Sequence, residues 1–192
     1  MHRRFPQLYH VTDAAALPGL RRHGLLSAKA RCCLFEVPAP ARPALLTRNR
    51  DSYARLDHPV HGEAWLRRQS MRDAPLRSRL DPALTPGQWR RFINAHAFLC
   101  ASRAWAERLR AFERDREQVV LTWDTAALLA AGVTLLACQY NNGTVMDRTP
   151  PQRRRLRGLA DYVPAEAVPP GMAIKEVAAR CRIPPWVPFA VA

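Results

Sequence analysis

The runs Leu8-Tyr9-His10-Val11-Thr12, Leu17-Pro18-Gly19-Leu20 and His23-Gly24-Leu25-Leu26-Ser27 determine how the fold begins. The first run has a β-rich composition and predicts a short strand. Thr12 and the next residue, Asp13, are helix-capping types, and they predict a helix from Ala14 to His23 with Pro18 in its first turn. Gly24 stands where the C′ residue of a helix belongs, and two leucines then resume an extended chain. The stretch therefore predicts a strand, a short helix and a second strand.

The rest of the chain alternates short strands with helices. Thr85 before Pro86 is a good N-cap with proline at the first helical position, and it predicts a helix over 86–95. Ser102 and Asp124 are caps that predict helices reaching about Glu113 and Ala131. The segment 32–55 is rich in Pro and Arg without a clear period, which predicts irregular structure. Further strands are predicted over 96–100, 118–123, 133–140, 173–178 and, as an edge, 183–191. Because these strands are not spaced as regular βαβ units, the sequence predicts an α+β fold.

Length and composition indicate a single globular domain over 1–192. The chain has 192 residues and 21.7 kDa, with 48% apolar and 24% charged residues, which excludes a disordered or collagen-like protein. The longest apolar-leaning run, 125–138, falls short of the ~20 residues that a membrane-spanning helix needs. The basic start of the chain has no apolar region behind it, so we expect no secretory signal and a cytoplasmic protein.

The charge balance is strongly positive and consists almost entirely of arginine. Thirty Lys and Arg against sixteen Asp and Glu give a net charge of +14, and only Lys29 and Lys175 are lysines. Arginine binds phosphate bidentately and releases counterions, so this balance favours phosphate-bearing partners. A coding bias explains the Arg-to-Lys ratio equally well. The densest charge lies in the Pro/Arg segment 147–157, which predicts either a solvated loop or a phosphate contact.

The cysteines and histidines do not form a recognisable metal site. The five cysteines show no C-x-x-C pair and no nearby ligand set, which predicts reduced, mostly buried thiols rather than zinc or disulfides. His58 and His61 lie close in sequence but lack a third ligand at suitable spacing. The sequence therefore predicts no metal, and a loop that packs near the site at these histidines.

The first stretch resembles the opening β-α-β unit of the ADP-ribosyltransferase superfamily, particularly the DarT-like toxins that modify DNA. Most of residues 5–190 resembles an uncharacterised bacterial domain family. The elements that carry this second resemblance are His58-Pro59-Val60-His61-Gly62, Arg67-Arg68-Gln69, Thr85-Pro86 with Trp89 and Asn94, and Asn141-Asn142-Gly143-Thr144. The second element usually reads Arg-Asp-Gln in that family, and here Arg68 replaces the acid.

The transferase resemblance implies two small packed sheets around a central cleft for NAD, with flanking helices. It implies that His10 holds the nicotinamide-side ribose or amide, and that Glu176 bonds the ribose 2′-OH. A carboxylate at that place would stabilise the oxocarbenium-like ribose that forms when nicotinamide leaves. The middle position of the superfamily's catalytic triad falls on His96 or Phe98. The remaining NAD-binding candidates are Thr12, Gly24, Leu25 and His96, and the acceptor or cleft candidates are Arg67, Gln69, Asn141, Asn142, Arg153, Arg154 and Arg155.

The leading interpretation is therefore an enzyme that transfers ADP-ribose from NAD, with a nucleic-acid acceptor favoured by the charge, and with a role as a toxin or defence factor. Two alternatives remain: NAD-dependent removal of an RNA 2′-phosphate, and a non-catalytic nucleic-acid-binding module. Structural explanations also remain open for the site residues, since His10 can be a satisfied strand residue and Glu176 a solvated charge beside Lys175. The tryptophans Trp65, Trp89, Trp105 and Trp123 are interpreted as core residues. The sequence does not specify an oligomeric state.

Overall fold

The structure, a computed structural model, describes residues 1–112, 116–141 and 155–191. The strands are β1 Gln7–Asp13, β2 Leu25–Leu26, β3 Ala54–His58, β4 Gly62–Leu66, β5 His96–Cys100, β6 Gln118–Asp124, β7 Leu135–Cys138, β8 Val163–Pro164, β9 Glu176–Arg180, β10 Arg182–Ile183 and β11 Ala190–Val191. The helices are α1 Leu17–His23, α2 Ala28–Leu34, α3 Arg42–Thr47, α4 Asp73–Arg77, α5 Pro86–Asn94, α6 Arg103–Phe112 and α7 Thr125–Ala130. Within these residues, no helix is both long and apolar enough to cross a bilayer.

Seven strands form one sheet in the order β11-β6-β1-β5-β9-β7-β8, and β10–β2 and β3–β4 form two small sheets. Every pairing between these named strands is antiparallel. Helices cover the sheets without forming the parallel crossovers of a doubly wound fold. The predicted α+β class is therefore confirmed.

The seven-stranded sheet divides into two nearly separate parts between β1 and β5. All seven residues of β1 pair with β6, whereas β1 and β5 share a single pair, Tyr9 opposite Cys100. On the far side, β5 pairs with β9 along all five of its residues. The expected two small sheets around a cleft thus occur as three strands and four strands joined at one point, and the opening between them lies next to His10.

The core occupies both faces of the large sheet. One face buries Leu8, Leu99, Leu121, Trp123 and Val177 in a single cluster. On the opposite face, two further clusters form, one around Trp89 and Tyr162 from the side of α5 and one around Val120 and Ala106 from the side of α6. Trp89 and Trp123 are core residues as predicted, and Trp105 packs against the cluster of α6. Trp65 differs, because it lies partly exposed with the Arg116 guanidinium 4.6 Å from its ring centre.

The capping residues confirm several predicted helix ends. Thr85 forms a capping box with Gln88 at the start of α5, and Asp124 accepts a hydrogen bond from the Ala127 amide at the start of α7. Gly24 ends α1 with a positive φ of 78°. The helix expected from Ala14 instead begins as a 3-10 turn over Ala14–Ala16 and becomes α-helical at Leu17, next to the proline in its first turn.

The segment predicted to be irregular contains regular structure. It includes the last three residues of α2, a helix that begins before the segment with Ser27 Oγ accepting from the Ala30 amide as N-cap, and all of α3, with a proline in its first turn. The hairpin β3–β4 follows and was not predicted, because its short, partly exposed strands lack a strong alternation of apolar residues. The strand expected over 173–178 is shifted to β9, and the one expected over 133–140 is shortened to β7.

Candidate active site

His10 lies at the opening between β1 and β5, one residue beyond the single pair that joins the two strands. Its Nδ1 is 2.7 Å from the carbonyl oxygen of Phe98 on β5. Because a carbonyl can only accept, Nδ1 carries the hydrogen and donates it. In the neutral ring, Nε2 is then an unprotonated acceptor. The His10 side chain thus takes the place of a backbone hydrogen bond between β1 and β5, and its Nε2 is available as a hydrogen-bond acceptor.

The surroundings of His10 keep the imidazole neutral. Burial lowers the pKa of His10 to about 4, against the smaller opposing effect of its hydrogen bond to Phe98. The positive charges of Arg67 and Arg31 lower this pKa further. His10 is therefore uncharged at neutral pH, and Nε2 can accept a hydrogen bond but cannot supply a proton.

Glu176 is the first residue of β9, which is the second strand from the His10 strand in the sheet. Glu176 is 8% exposed. The hydroxyl of Tyr162, itself buried, donates to Glu176 Oε1 at 3.1 Å. At the single pair that joins β1 to β5, with neighbouring strands about 4.8 Å apart, β1 and β9 are separated by about 10 Å. The interpretation of Glu176 as a solvated charge is wrong, since only its neighbour Lys175 is exposed.

Cys100 connects these two residues, because it pairs with Tyr9 on one side and with Glu176 on the other. Burial raises the pKa of the Cys100 thiol to about 12, and the negative charge of Glu176 contributes to the rise. The positive charge of Arg67 acts in the opposite direction. Arg67 thus influences the pKa of both Cys100 and His10. That these side chains act together with Glu176 stays a prediction. Neither Cys100 nor Tyr162 was identified from the sequence, since strand register and a contact across fourteen residues leave no local signal.

Two arginines border the site from the side of the β3–β4 hairpin. Arg67 follows directly after β4 and is exposed. Arg31, on α2, is partly buried, and its Nη1 donates to the carbonyl of Trp65 at 2.6 Å. Burial lowers the pKa of Arg31 from its usual value, and an arginine guanidinium stays charged in proteins. The site therefore has a neutral histidine, a buried carboxyl group and two guanidinium groups near its edge.

Gln69 belongs to the segment that positions Arg67. Its Oε1 accepts from Asn94 Nδ2 at 3.1 Å, and its backbone exchanges two hydrogen bonds with Arg50. The Arg50 guanidinium in turn donates to the Arg67 carbonyl from Nε and Nη2, at 3.3 and 3.2 Å. The family element Arg67-Arg68-Gln69 is therefore fixed to the end of α5. Whether Arg67 and Gln69 contact an acceptor stays a prediction.

The other proposed NAD-binding residues lie at varied places. Thr12 is partly buried on β1, two residues beyond His10. Gly24 is closely packed, because a Cβ there would lie 2.0 Å from the carbonyl oxygen of Ile183. The Leu25 side chain belongs to the core. Their part in binding stays a prediction, and the structure supplies a packing reason for Gly24 and Leu25.

The two candidates for the middle triad position differ in where they lie. His96 starts β5, four residues before Cys100 and so about 14 Å along the strand. Its Nδ1 is 2.8 Å from the Phe92 carbonyl, and burial lowers its pKa, with Arg180 adding a smaller effect. The Phe98 ring centre is 6.5 Å from that of Tyr162, whose hydroxyl bonds Glu176. Phe98 therefore lies closer to the site than His96 does.

The predicted acceptor residues near the C-terminal third are only partly described. Asn141 accepts through its backbone carbonyl from Arg157 Nη1 at 3.2 Å. Arg155 forms an ion pair with Asp161 at 3.1 Å and lies 5.8 Å from the ring centre of Tyr140. Asn142, Arg153 and Arg154, together with most of the predicted basic loop 147–157, lie outside the described residues.

The histidine element forms the turn between β3 and β4. His58 Nδ1 accepts from the amides of Val60 and His61, both at 3.2 Å, and the rings of His58 and His61 stack at 4.5 Å. These bonds hold the turn of the hairpin, as expected for a loop. In the part of the chain that is described, no group of three His, Cys, Asp or Glu side chains could hold a metal ion.

The chain belongs to the family described as "Family of unknown function (DUF7002)", which it matches over residues 6–184. A comparison with curated proteins found no match. Among solved structures, it is similar to DarT of Thermus sp. 2.9 in complex with NAD+, at 15% identity and a TM-score of 0.38 over 95% of this chain and 78% of that one. The same DarT in complex with ADP-ribosylated ssDNA gives 16% identity and a TM-score of 0.39, covering 95% and 78%. Its complex with carba-NAD+ gives 15% and 0.37, covering 94% and 78%.

Proposed function

We propose that this protein transfers ADP-ribose from NAD to an acceptor at the site formed by His10 and Glu176. One observation carries the proposal: a neutral histidine whose Nε2 can accept a hydrogen bond lies at the opening of the sheet, and a buried carboxyl group that a tyrosine hydroxyl holds begins the second strand from it. The resemblance of residues 8–27 to the opening unit of ADP-ribosyltransferases gives the reaction class.

The reaction breaks the bond between the ribose C1′ of NAD and nicotinamide, and the acceptor forms a new bond to C1′. Nicotinamide leaves with the electron pair of the broken bond, and the acceptor loses its proton to solvent. Glu176, as a carboxylate held by Tyr162, stabilises the positive charge that develops on the ribose. His10 accepts a hydrogen bond from a ribose hydroxyl through Nε2. The exposed Arg67 guanidinium is suited to the pyrophosphate.

The acceptor we propose is a nucleic acid. The net charge of +14 favours a polyanion over an acidic or neutral small molecule. The DarT complexes contain the same classes of molecule, NAD+ and ssDNA, but the proposal rests on the residues of this chain. A role as a toxin or defence factor stays a prediction.

The test measures nicotinamide released from NAD, with and without DNA or RNA oligonucleotides, by the wild type and by Glu176→Gln. The substitution keeps the shape and an oxygen for Tyr162 but removes the charge, so turnover should fall on the order of 10²-fold or more with little change in NAD affinity. The matched control is Glu166→Gln, the same chemical change at an exposed position of the described chain, and it should leave turnover unchanged.

Two outcomes would contradict this proposal in favour of the alternatives. Wild-type protein that binds oligonucleotides but releases no nicotinamide with any of them is a binding module. Release that requires an RNA bearing a 2′-phosphate, with loss of that phosphate, indicates the RNA 2′-phosphotransferase.

A further inference from the structure

A basic groove lies away from the candidate active site, between α3, α4 and the start of α5. The open groove has a volume of about 630 Å³. Its walls come from the end of α3 and the loop after it, from the first turn of α4, and from the first turns of α5. The residues that line it are Thr47, Arg48, Asn49, Asp51, Arg72, Asp73, Arg77, Thr85, Pro86, Gly87 and Arg90.

Arg90 fixes the walls of the groove relative to one another. The residue is 1% exposed, and its guanidinium donates to the carbonyls of Thr47, at 3.3 Å, and of Met71. It also pairs with Asp73 at 2.6 Å, which compensates the charge of that carboxylate. Because α3, α4 and α5 all attach to one buried cation, the groove is held in shape before any ligand enters.

Three further arginines make the groove positive. Arg48, Arg72 and Arg77 are exposed, and no side-chain partner is found for any of them among the described residues. Against these three cations stands one carboxylate that Arg90 does not compensate, Asp51, which accepts from Asn49 Nδ2 at 2.7 Å. The groove therefore presents guanidinium groups whose donors are available to a ligand.

The chemistry of the groove fits a phosphodiester chain. Arginine donates two parallel hydrogen bonds to a phosphate, and a rigid groove carrying several such groups follows a backbone rather than a single anion. A membrane surface is a poor fit, since none of the exposed large apolar residues of the described chain lines the groove. A single strand can bend so that successive phosphates meet the arginines at the end of α3 and at the two ends of α4. We infer that this groove binds the sugar–phosphate backbone of a single-stranded nucleic acid.

The groove is placed so that a bound strand could reach the candidate active site. Helix α5 has nine residues and spans about 14 Å. It starts in the groove and ends at Asn94, which contacts Gln69 and, through Arg50, the segment carrying Arg67. The statement that the bound strand is the ADP-ribose acceptor rests on the proposed function, whereas the binding of a strand to the groove is independent of it.

The experiment compares the wild type with the triple variant Arg48→Gln, Arg72→Gln, Arg77→Gln. The control is Arg21→Gln, Arg108→Gln, Arg182→Gln, which removes the same charge from exposed arginines that do not line the groove. Binding of fluorescent oligothymidine and oligouridine is measured at several salt concentrations. Each phosphate contact to a single strand contributes about 0.7 to the slope of log affinity against log salt, so the groove variant should flatten the slope by about 2 and the control should not.

The inference would be overturned if the two triple variants changed the salt slope equally. It would also be overturned if polyglutamate competed for the groove as well as an oligonucleotide does. Loss with both oligonucleotides, or with one of them, supports it and shows whether the sugar contributes. Because the three side chains are exposed, the triple variant should fold. If it does not, the three single variants are compared with the wild type in the same binding measurement. Nicotinamide release is measured on the same samples. If the wild type releases no nicotinamide and oligonucleotide binding is lost only in the groove variant, the proposed function is overturned, whereas the assignment of the groove to a single strand is retained.

Discussion

His10 shows how one side chain can serve both the fold and the site. The opening of the sheet leaves the Phe98 carbonyl without a partner from β1, and an unsatisfied buried carbonyl costs about 1–3 kcal/mol. His10 Nδ1 supplies that partner and thereby fixes which nitrogen remains free. The structural and functional explanations of this histidine are therefore compatible, because the first determines the geometry that the second requires.

The desolvation of the partly buried His10 predicts a pH-dependent stability. The unfolded residue takes up a proton with a pKa near 6.5, whereas in the folded protein the pKa is about 4. Protonation thus favours unfolding, so the stabilisation is complete above pH 6.5 and is lost as the pH falls towards 4, by at most about 3 kcal/mol. His10→Gln, which keeps a donor for Phe98, should lack this loss.

Urea unfolding of both proteins from neutral pH down to about 4 checks the prediction through the difference between the two curves. The difference matters because burial also lowers the pKa of His23 and His96, and these groups are common to both proteins. Curves that run parallel over this range would show that His10 is not desolvated in the fold.

At the scale of elements, the approach of α1 to β10 depends on one glycine. Gly24 has φ 78° and ψ −175°, a conformation essentially restricted to glycine. A Cβ would lie 2.0 Å from the Ile183 carbonyl oxygen and 2.9 Å from the Pro185 nitrogen, both of them backbone atoms. We expect Gly24→Ala to lower the free energy of unfolding by more than about 3 kcal/mol.

The matched substitution is Gly132→Ala, at φ 73° with nothing within 4 Å of the added Cβ. It carries only the cost of the left-handed conformation, about 1–2 kcal/mol. Chemical denaturation of both variants measures the two losses. Similar losses would mean that β2 and β10 separate easily and that the backbone contact at Gly24 contributes little.

The elements that the sequence predicted well are those with strong local signals. Thr85, Asp124 and Gly24 each satisfy a helix end through contacts within a few residues, and the capped helices appear where expected. Helices α2 and α3 and the β3–β4 hairpin were missed because long-range packing supports them. Their apolar residues, such as Cys32 and Leu56, meet in a cluster that no single segment reveals.

The site divides in the same way. His10 and Glu176 could be proposed from the resemblance, and the structure places them on the first and third of three neighbouring strands. The contribution of Cys100 follows from the register of β5 with β9, and that of Tyr162 from a fold-back of the chain before β9. Neither register nor fold-back is encoded in a short motif, so both required the structure.

For the whole molecule, the question is whether the chain unfolds as the single domain that its length predicts. Its three buried cysteines lie in three different clusters, with Cys32 under the hairpin, Cys138 beside α5 and Cys100 beside α6. None of the five cysteines forms a disulfide, and the other two, Cys33 and Cys181, are exposed. The buried thiols therefore report separately on three parts of the core.

We expect the three buried thiols to become reactive together. The variant Cys33→Ser, Cys181→Ser retains only the buried thiols, and a cooperative domain exposes all three with one free energy of unfolding. Alkylation of each thiol, measured by mass spectrometry at rising urea concentrations, should therefore give the same midpoint for all three. Reaction of Cys100 also needs the unfolded state because its pKa of about 12 suppresses the thiolate in the fold. Earlier reaction of Cys32 would instead show that α2, α3 and the hairpin open as a separate unit, which would loosen Arg31 and Arg67 at the edge of the candidate active site while the strands carrying His10 and Glu176 remain folded.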